Sequence, residues 1–125
     1  MIQANELRIG NWVTYPNYWN NIPLKIKIVG ITEDLIFYGE ESTLKLENAE
    51  PIPLTEELIR KIKNDIDINQ MRDQLLFSID DVSYYLKDRV VEAYTTNQSE
   101  PTATVSSLHE LQNVHFTLRK KELEL

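Results

Sequence analysis

Residues 74–86 read QLLFSI-DD-VSYYL, two short runs of β-forming residues joined by a pair of aspartates. Aspartates favour turn geometry, so residues 74–79 and 82–86 are predicted to pair as an antiparallel hairpin about Asp80-Asp81. Side chains alternate along a strand, so of the neighbours Tyr84 and Tyr85 one faces inward and the other outward. Residues 90–94 (VVEAY) supply a third strand. Residues 95–104 (TTNQSEPTAT) are small and polar and predict the longest loop of the chain.

Upstream of the hairpin the pattern changes to helical. Thr55 is a good N-cap, and Glu56 and Glu57 follow where the helix dipole favours acids. Leu58, Ile59, Ile62 and Ile66 recur at helical spacing, with Arg60, Lys61 and Lys63 largely between them. Residues 65–69 are expected to fray the helix end. Pro51 and Pro53 lead in as extended chain, since neither can donate to a ladder.

Farther upstream the sequence reads as strands and turns. Residues 11–15 (NWVTY) are one strand, and residues 16–23 (PNYWNNIP) are a loop closed by proline at both ends. Residues 24–31 (LKIKIVGI) alternate, with Leu24, Ile26 and Ile28 on one face and Lys25 and Lys27 on the other. Gly30 marks a bulge or a close backbone approach. Residues 35–38 and 43–46 complete a small, strongly bent antiparallel sheet, pictured as an SH3-like partial barrel.

Downstream, Ser107-Leu108-His109-Glu110 has the S-x-x-E form of a capping box. It opens a final helix with Leu108, Leu111, Val114 or His115, and Leu118 along one side. Residues 122–125 alternate like an edge strand. The order of strands, helix, strands and helix predicts an α+β fold in one domain, residues 1–125, mainly β over 1–53 and helix-strands-helix over 54–125. Ile26, Ile28, Leu58, Ile62, Phe77, Leu111 and Leu118 are the expected core.

The chain has 125 residues, a hydrophobic fraction of 42% and no cysteine, which excludes disulfides, thiolate metal sites and a cysteine nucleophile. No basic leader precedes an apolar run, and no apolar run approaches the ~18 residues a membrane helix needs. A cytoplasmic location and no membrane association are expected. The net charge of −7 is spread over both halves. The dense basic cluster Arg119, Lys120 and Lys121 sits at a helix C-terminus, where the dipole favours cations. Duplex nucleic acid is not an expected partner.

Three segments, ELRIGNWV at 6–13, PIPLTEE at 51–57 and HELQNVHFTL at 109–118, together resemble an uncharacterised family of small proteins encoded in Bacteroidetes phages and prophages. In those the pieces run as a similar ELRIGN opening, a PIPLTEEWL-like helix start and an HQLQNLYFAL-like final helix. Here Leu58 stands where tryptophan is common, and His115 where tyrosine is. The resemblance implies a phage context, hence the cytoplasm of a bacterial host, and it carries over no catalytic or ligand residue.

Neither a phosphate loop nor an H-E-x-x-H motif is present. His109 and His115, six apart on one helix, point about 120° away from each other, which disfavours a shared metal. No catalytic residue, metal site or cofactor is predicted. Glu33-Asp34, Glu40-Glu41 and Asp80-Asp81 fall at turns, where acids serve local hydrogen bonding. Tyr15, Tyr18 and Trp19 surround a loop, where exposed aromatics suit a binding surface; alternatively Trp19 folds back to cap the sheet. The outward member of Tyr84 and Tyr85, with Lys87 and Arg89 close by, suits an anionic aromatic ligand. These seven residues are the candidate ligand site. The expected function is a non-enzymatic phage-encoded binding protein, in its sharpest form a counter-defence protein that sequesters a nucleotide-type immune signal. The alternative is an interaction module that masks a host or phage protein, and a small hydrolase around His109 ranks third. A homo-oligomer is left open.

Overall fold

A computed structural model describes residues 2–15, 23–95 and 100–125. The chain forms two compact units, Met1–Ile52 and Pro53–Leu125, and the fold is α+β.

In the first unit, β1 (Trp12–Tyr15), β2 (Leu24–Ile31), β3 (Leu35–Tyr38) and β4 (Ser42–Lys45) form one antiparallel sheet in sequence order. The long β2 serves two partners. Its first half pairs with β1, from Tyr15↔Leu24 to Trp12↔Lys27, and its second half with β3. The register slips where Ile28 faces Tyr38 and Gly30 faces Phe37, leaving Val29 as the extra residue of a bulge. A Cβ at position 30 would lie 3.4 Å from Phe37 Cβ, an ordinary contact, so Gly30 flanks the bulge without a steric need for glycine. After a 3-10 turn at Leu46–Asn48 the chain returns to β1. There Thr14 N–H donates to Glu50 O at 2.9 Å and Glu50 N–H to Thr14 O at 2.7 Å. Val13, Ile26, Ile28 and Ile36 fill the interior with Ile2, Leu7 and Ala49. Leu24, expected on that inner face, is 41% exposed at the strand end.

The second unit opens with α1 (Glu56–Arg60). Thr55 caps it, its Oγ1 accepting from Leu58 N–H at 3.2 Å. The helix is shorter than its apolar spacing predicts. Ile66 does not extend it but starts β5 (Ile66–Gln70), the segment expected to be a frayed end. Ile62 and Ile66 suit a period of four, yet Ile66 and Ile68 also suit a period of two. Pairing with Ile79 and Phe77 across the ladder decides for the strand. β6 (Leu75–Ile79), β7 (Val82–Lys87), β8 (Val90–Tyr94) and β9 (Ala103–Val105) follow, giving a five-stranded antiparallel sheet in sequence order.

One face of this sheet is apolar. Leu75, Phe77 and Ile79 pair with Leu86, Tyr84 and Val82, and Tyr84 and Leu86 pair in turn with Ala93 and Val91. All eight are buried. The two tight turns, Asp80-Asp81 and Asp88-Arg89, have all four residues at positive φ between 50° and 68°. That is the mirror-image turn whose twist suits a two-residue hairpin, here built without glycine. α2 (Leu108–Arg119) buries Leu108, Leu111 and His115. Of the expected core, Ile26, Ile28, Leu58, Ile62, Phe77 and Leu111 are buried, whereas Leu118 is half-buried.

The serine cap of α2 differs from the expected box. Ser107 makes no side-chain bond to the helix amides. Its hydroxyl donates to Glu110 Oε1 at 2.6 Å and lies 3.2 Å from His109 Nδ1. The serine therefore meets the glutamate side chain directly. Residues 122–125 are not a strand, but they lie beside the end of α1. Lys63 N–H donates to Glu124 O, and Asn64 holds the tail twice, through Glu122 O at 2.9 Å and Glu124 N–H at 2.7 Å. Leu123 between them is buried.

Candidate functional site: the open face of the five-stranded sheet

Alternation along β7 sends Tyr84 into the core and Tyr85 to the opposite face. Tyr84 is fully buried, stacked on Phe77 with ring centroids 5.1 Å apart. It is a structural residue and offers no surface to a ligand. Tyr85 is half-buried and meets Tyr94 of β8 edge to face, at 5.2 Å and 81°.

Around this pair runs a depression of about 800 Å³. Ser83, Tyr85 and Lys87 of β7 line it with Val90, Glu92 and Tyr94 of β8, and Asp81 and Asp88 stand at the two ends of β7. The length from Asp81 to Asp88 is roughly 20 Å at the rise of an extended strand. Tyr94 donates to Glu92 Oε2 at 2.7 Å, and this bond holds the tyrosine's hydroxyl above its ordinary pKa. Among the described residues Lys87 is the only cation in the lining, and its Nζ lies 3.7 Å from Asp73 Oδ2. Three carboxylates against one already paired ammonium make the trough acidic.

Of the seven candidate residues, four belong to the second unit. Tyr85 and Lys87 share the trough. Arg89, in the β7–β8 turn, lines a smaller depression of about 280 Å³ with Lys87 and Asp88. Tyr84 lies in the core. Tyr15 belongs to the first unit, packed on its apolar cluster and accepting from Tyr38 Oη at 3.4 Å. Tyr18 and Trp19 fall outside the described residues. Sequence reasoning missed Glu92 and Tyr94, although the period of two places both on the face of Tyr85, as the pairs Tyr85↔Glu92 and Ser83↔Tyr94 require.

A second polar constellation lies on the other side of the sheet. His115, fully buried on α2, stands between Tyr84 and Asp80. Tyr84 Oη is 2.6 Å from His115 Nδ1, and His115 Nε2 is 2.9 Å from Asp80 Oδ2. A carboxylate only accepts, so Nε2 carries the proton donated to Asp80, and in the neutral ring Nδ1 accepts from the tyrosine. Burial pushes the Tyr84 hydroxyl well above its usual pKa, whereas the bond from His115 holds the Asp80 carboxyl below its own. Two members of the basic cluster, Arg119 and Lys121, converge on the same turn. Arg119 Nε–H donates to Asp80 O at 2.8 Å, and Lys121 Nζ lies 3.5 Å from Asp80 Oδ1. The cations at the helix end therefore hold a hairpin turn as well as suiting the dipole.

His109 is also buried. Ser107 gives its one proton to Glu110, so its oxygen accepts from His109 Nδ1–H. This polarity is opposite to that of a serine activated by a histidine base, in which the imidazole accepts. Among the described residues no three histidine, aspartate or glutamate side chains are grouped to hold a metal ion. Among those residues, too, no helix is long and apolar enough to cross a membrane. No protein-family model, curated protein or solved structure matches the chain.

Proposed function

We propose that this chain works by binding a protein partner on the open face of its five-stranded sheet, without catalysis. The observation that carries this reading is the Tyr85–Tyr94 pair set in a depression of about 800 Å³ on the side of the sheet opposite the buried Tyr84. Tyrosines present large, stiff, amphipathic surface and are favoured at interfaces. The carboxylates Asp81, Asp88 and Glu92 weigh against a nucleotide at this face, because a phosphate would meet repulsion there. A counter-defence role, expected from the phage resemblance, would then be exercised by masking a protein rather than by sequestering a signal.

The test is capture from the host cell with the intact chain and with Tyr85→Ala as baits, alongside a thermal-shift screen with cyclic dinucleotides and ADP-ribose derivatives. The expected result is one stoichiometric partner that the variant loses while its melting midpoint stays close to that of the parent. A nucleotide that raises the midpoint, with no Tyr85-dependent protein partner, would favour the sequestration reading instead. A ligand at 100 times its dissociation constant adds about 2.7 kcal/mol, well within detection.

A further inference from the structure

We infer that the occupant of this trough is an extended segment of a partner protein that carries lysine or arginine side chains. The inference rests on the binding reading above and adds the partner's chemistry. Charge complementarity argues for it. Acids stand at both ends of the trough, Asp81 and Asp88, and Glu92 stands in the middle opposite Tyr85. Among the described residues the one lining cation, Lys87, faces Asp73 at 3.7 Å. An incoming cation therefore meets a net negative lining, three carboxylates against Lys87, and an incoming anion is disfavoured.

The aromatic pair supplies the second element. The ring faces of tyrosines attract ammonium and guanidinium groups through their quadrupole, arginine more often than lysine. In the edge-to-face arrangement one ring of the Tyr85–Tyr94 pair turns its edge to the other and keeps its own faces clear of it. Glu92, tied to Tyr94 at 2.7 Å, brings a carboxylate next to these rings. A guanidinium seated here meets a π face and a carboxylate together. Shape agrees with an extended occupant, since a trough of roughly 20 Å matches about six residues of strand. In such a segment every second side chain points to the same face, so alternate basic residues reach the trough together.

The probes are the capped peptides (Gly-Arg)₃ and (Gly-Glu)₃, titrated into the intact protein at low ionic strength and followed by NMR. The arginine peptide should shift the amide signals of β7 and β8, weaken as salt is added, and bind roughly tenfold more weakly to Tyr85→Ala, a loss typical of truncating an interface aromatic. Glu92→Gln and Asp88→Asn should each weaken it severalfold. Glu57→Gln, an equal charge change on α1, should not. Asparagine tolerates the left-handed backbone of position 88, so that variant keeps its turn.

Equal losses in all three carboxylate variants would show attraction to net charge alone and overturn the inference, as would no binding of the arginine peptide or preferential binding of the glutamate peptide. A captured partner that needs Tyr85 but is indifferent to Glu92→Gln and Asp88→Asn would keep the binding reading and sink the cationic one. If nothing bound depends on Tyr85, both fall.

Discussion

In Met1–Ile52 four strands enclose Val13, Ile26, Ile28 and Ile36, and the only helical pieces among the described residues are two 3-10 turns. In Pro53–Leu125 five strands bury one face alone, beneath a helix of twelve residues. The first sheet covers its apolar side by bending at the Val29 bulge and bringing Glu50 back to Thr14. The second recruits α2, and with it His109, Gln112 and His115 enter the interior. Buried polar groups must find partners, so this core is partly specified by hydrogen bonds and not by volume alone. The helix occupies one face only. The other carries the alternate residues Ser83, Tyr85, Lys87, Glu92 and Tyr94.

The largest effect expected from this contrast is at Phe77, where the stacked pair with Tyr84 sits under the helix. Phe77→Ala should cost about 3–5 kcal/mol in denaturant unfolding. A loss below 1 kcal/mol would deny that this face is the core of its unit.

The next effect separates packing from hydrogen bonding. His115→Phe leaves the Tyr84 hydroxyl buried without its acceptor and should cost about 1–3 kcal/mol. Adding Tyr84→Phe removes the stranded group, so the double variant should be more stable than the single one. Simple additivity of the two changes would show that the Tyr84–His115–Asp80 chain contributes nothing as a chain.

Acid sharpens the same point at Asp80. Its carboxyl is held below the ordinary value, first by the bond from His115, so the charged form is favoured in the folded state. The stability it contributes is fully present above the ordinary carboxylate range and is lost as pH falls through the lowered folded value. The gap in melting midpoint between the parent and Asp80→Asn should therefore be steady near neutrality and close in strong acid. A gap that widens on acidification would reverse this assignment.

The smallest effect is a gain. Arg89 holds φ 65° in the β7–β8 turn, a conformation that L side chains resist. Arg89→Gly should raise stability by up to about 1 kcal/mol, with no counterpart for a glycine already in place such as Gly39. An unchanged or lower midpoint would mean that the arginine side chain compensates the turn.

Much of the fold was legible because periodicity reports which face is buried. LKIKIVGI gave β2 to the residue, and Asp80-Asp81 marked the hairpin about which Phe77 and Tyr84 pair. Ile66 misled because one isoleucine suits both a helix and a strand, and only its partner Ile79, thirteen residues on, decides between them. The site was legible in part. Alternation separated the roles of Tyr84 and Tyr85, and the same rule extended to β8 would have found Glu92 and Tyr94. The partnership of His115 with Asp80, 35 residues away, left no local trace, because each residue alone reads as an ordinary helix or turn residue.

The clasp of Asn64 on residues 122–124 has a consequence for how the second unit assembles. The hairpins of β5 to β8 join near neighbours in the chain and can zip in microseconds once nucleated. The clasp joins residues 58 and 60 positions apart, so it waits until everything between them is in place. The Asn64–Glu124 bond is exposed, so it is expected to open in local fluctuations. In native-state hydrogen exchange the Glu124 amide should therefore lose its protection in a local fluctuation, well before the amides of β7 yield to global unfolding. Residues 122–124 are thus expected to join the unit late and to lie outside the nucleus from which it grows.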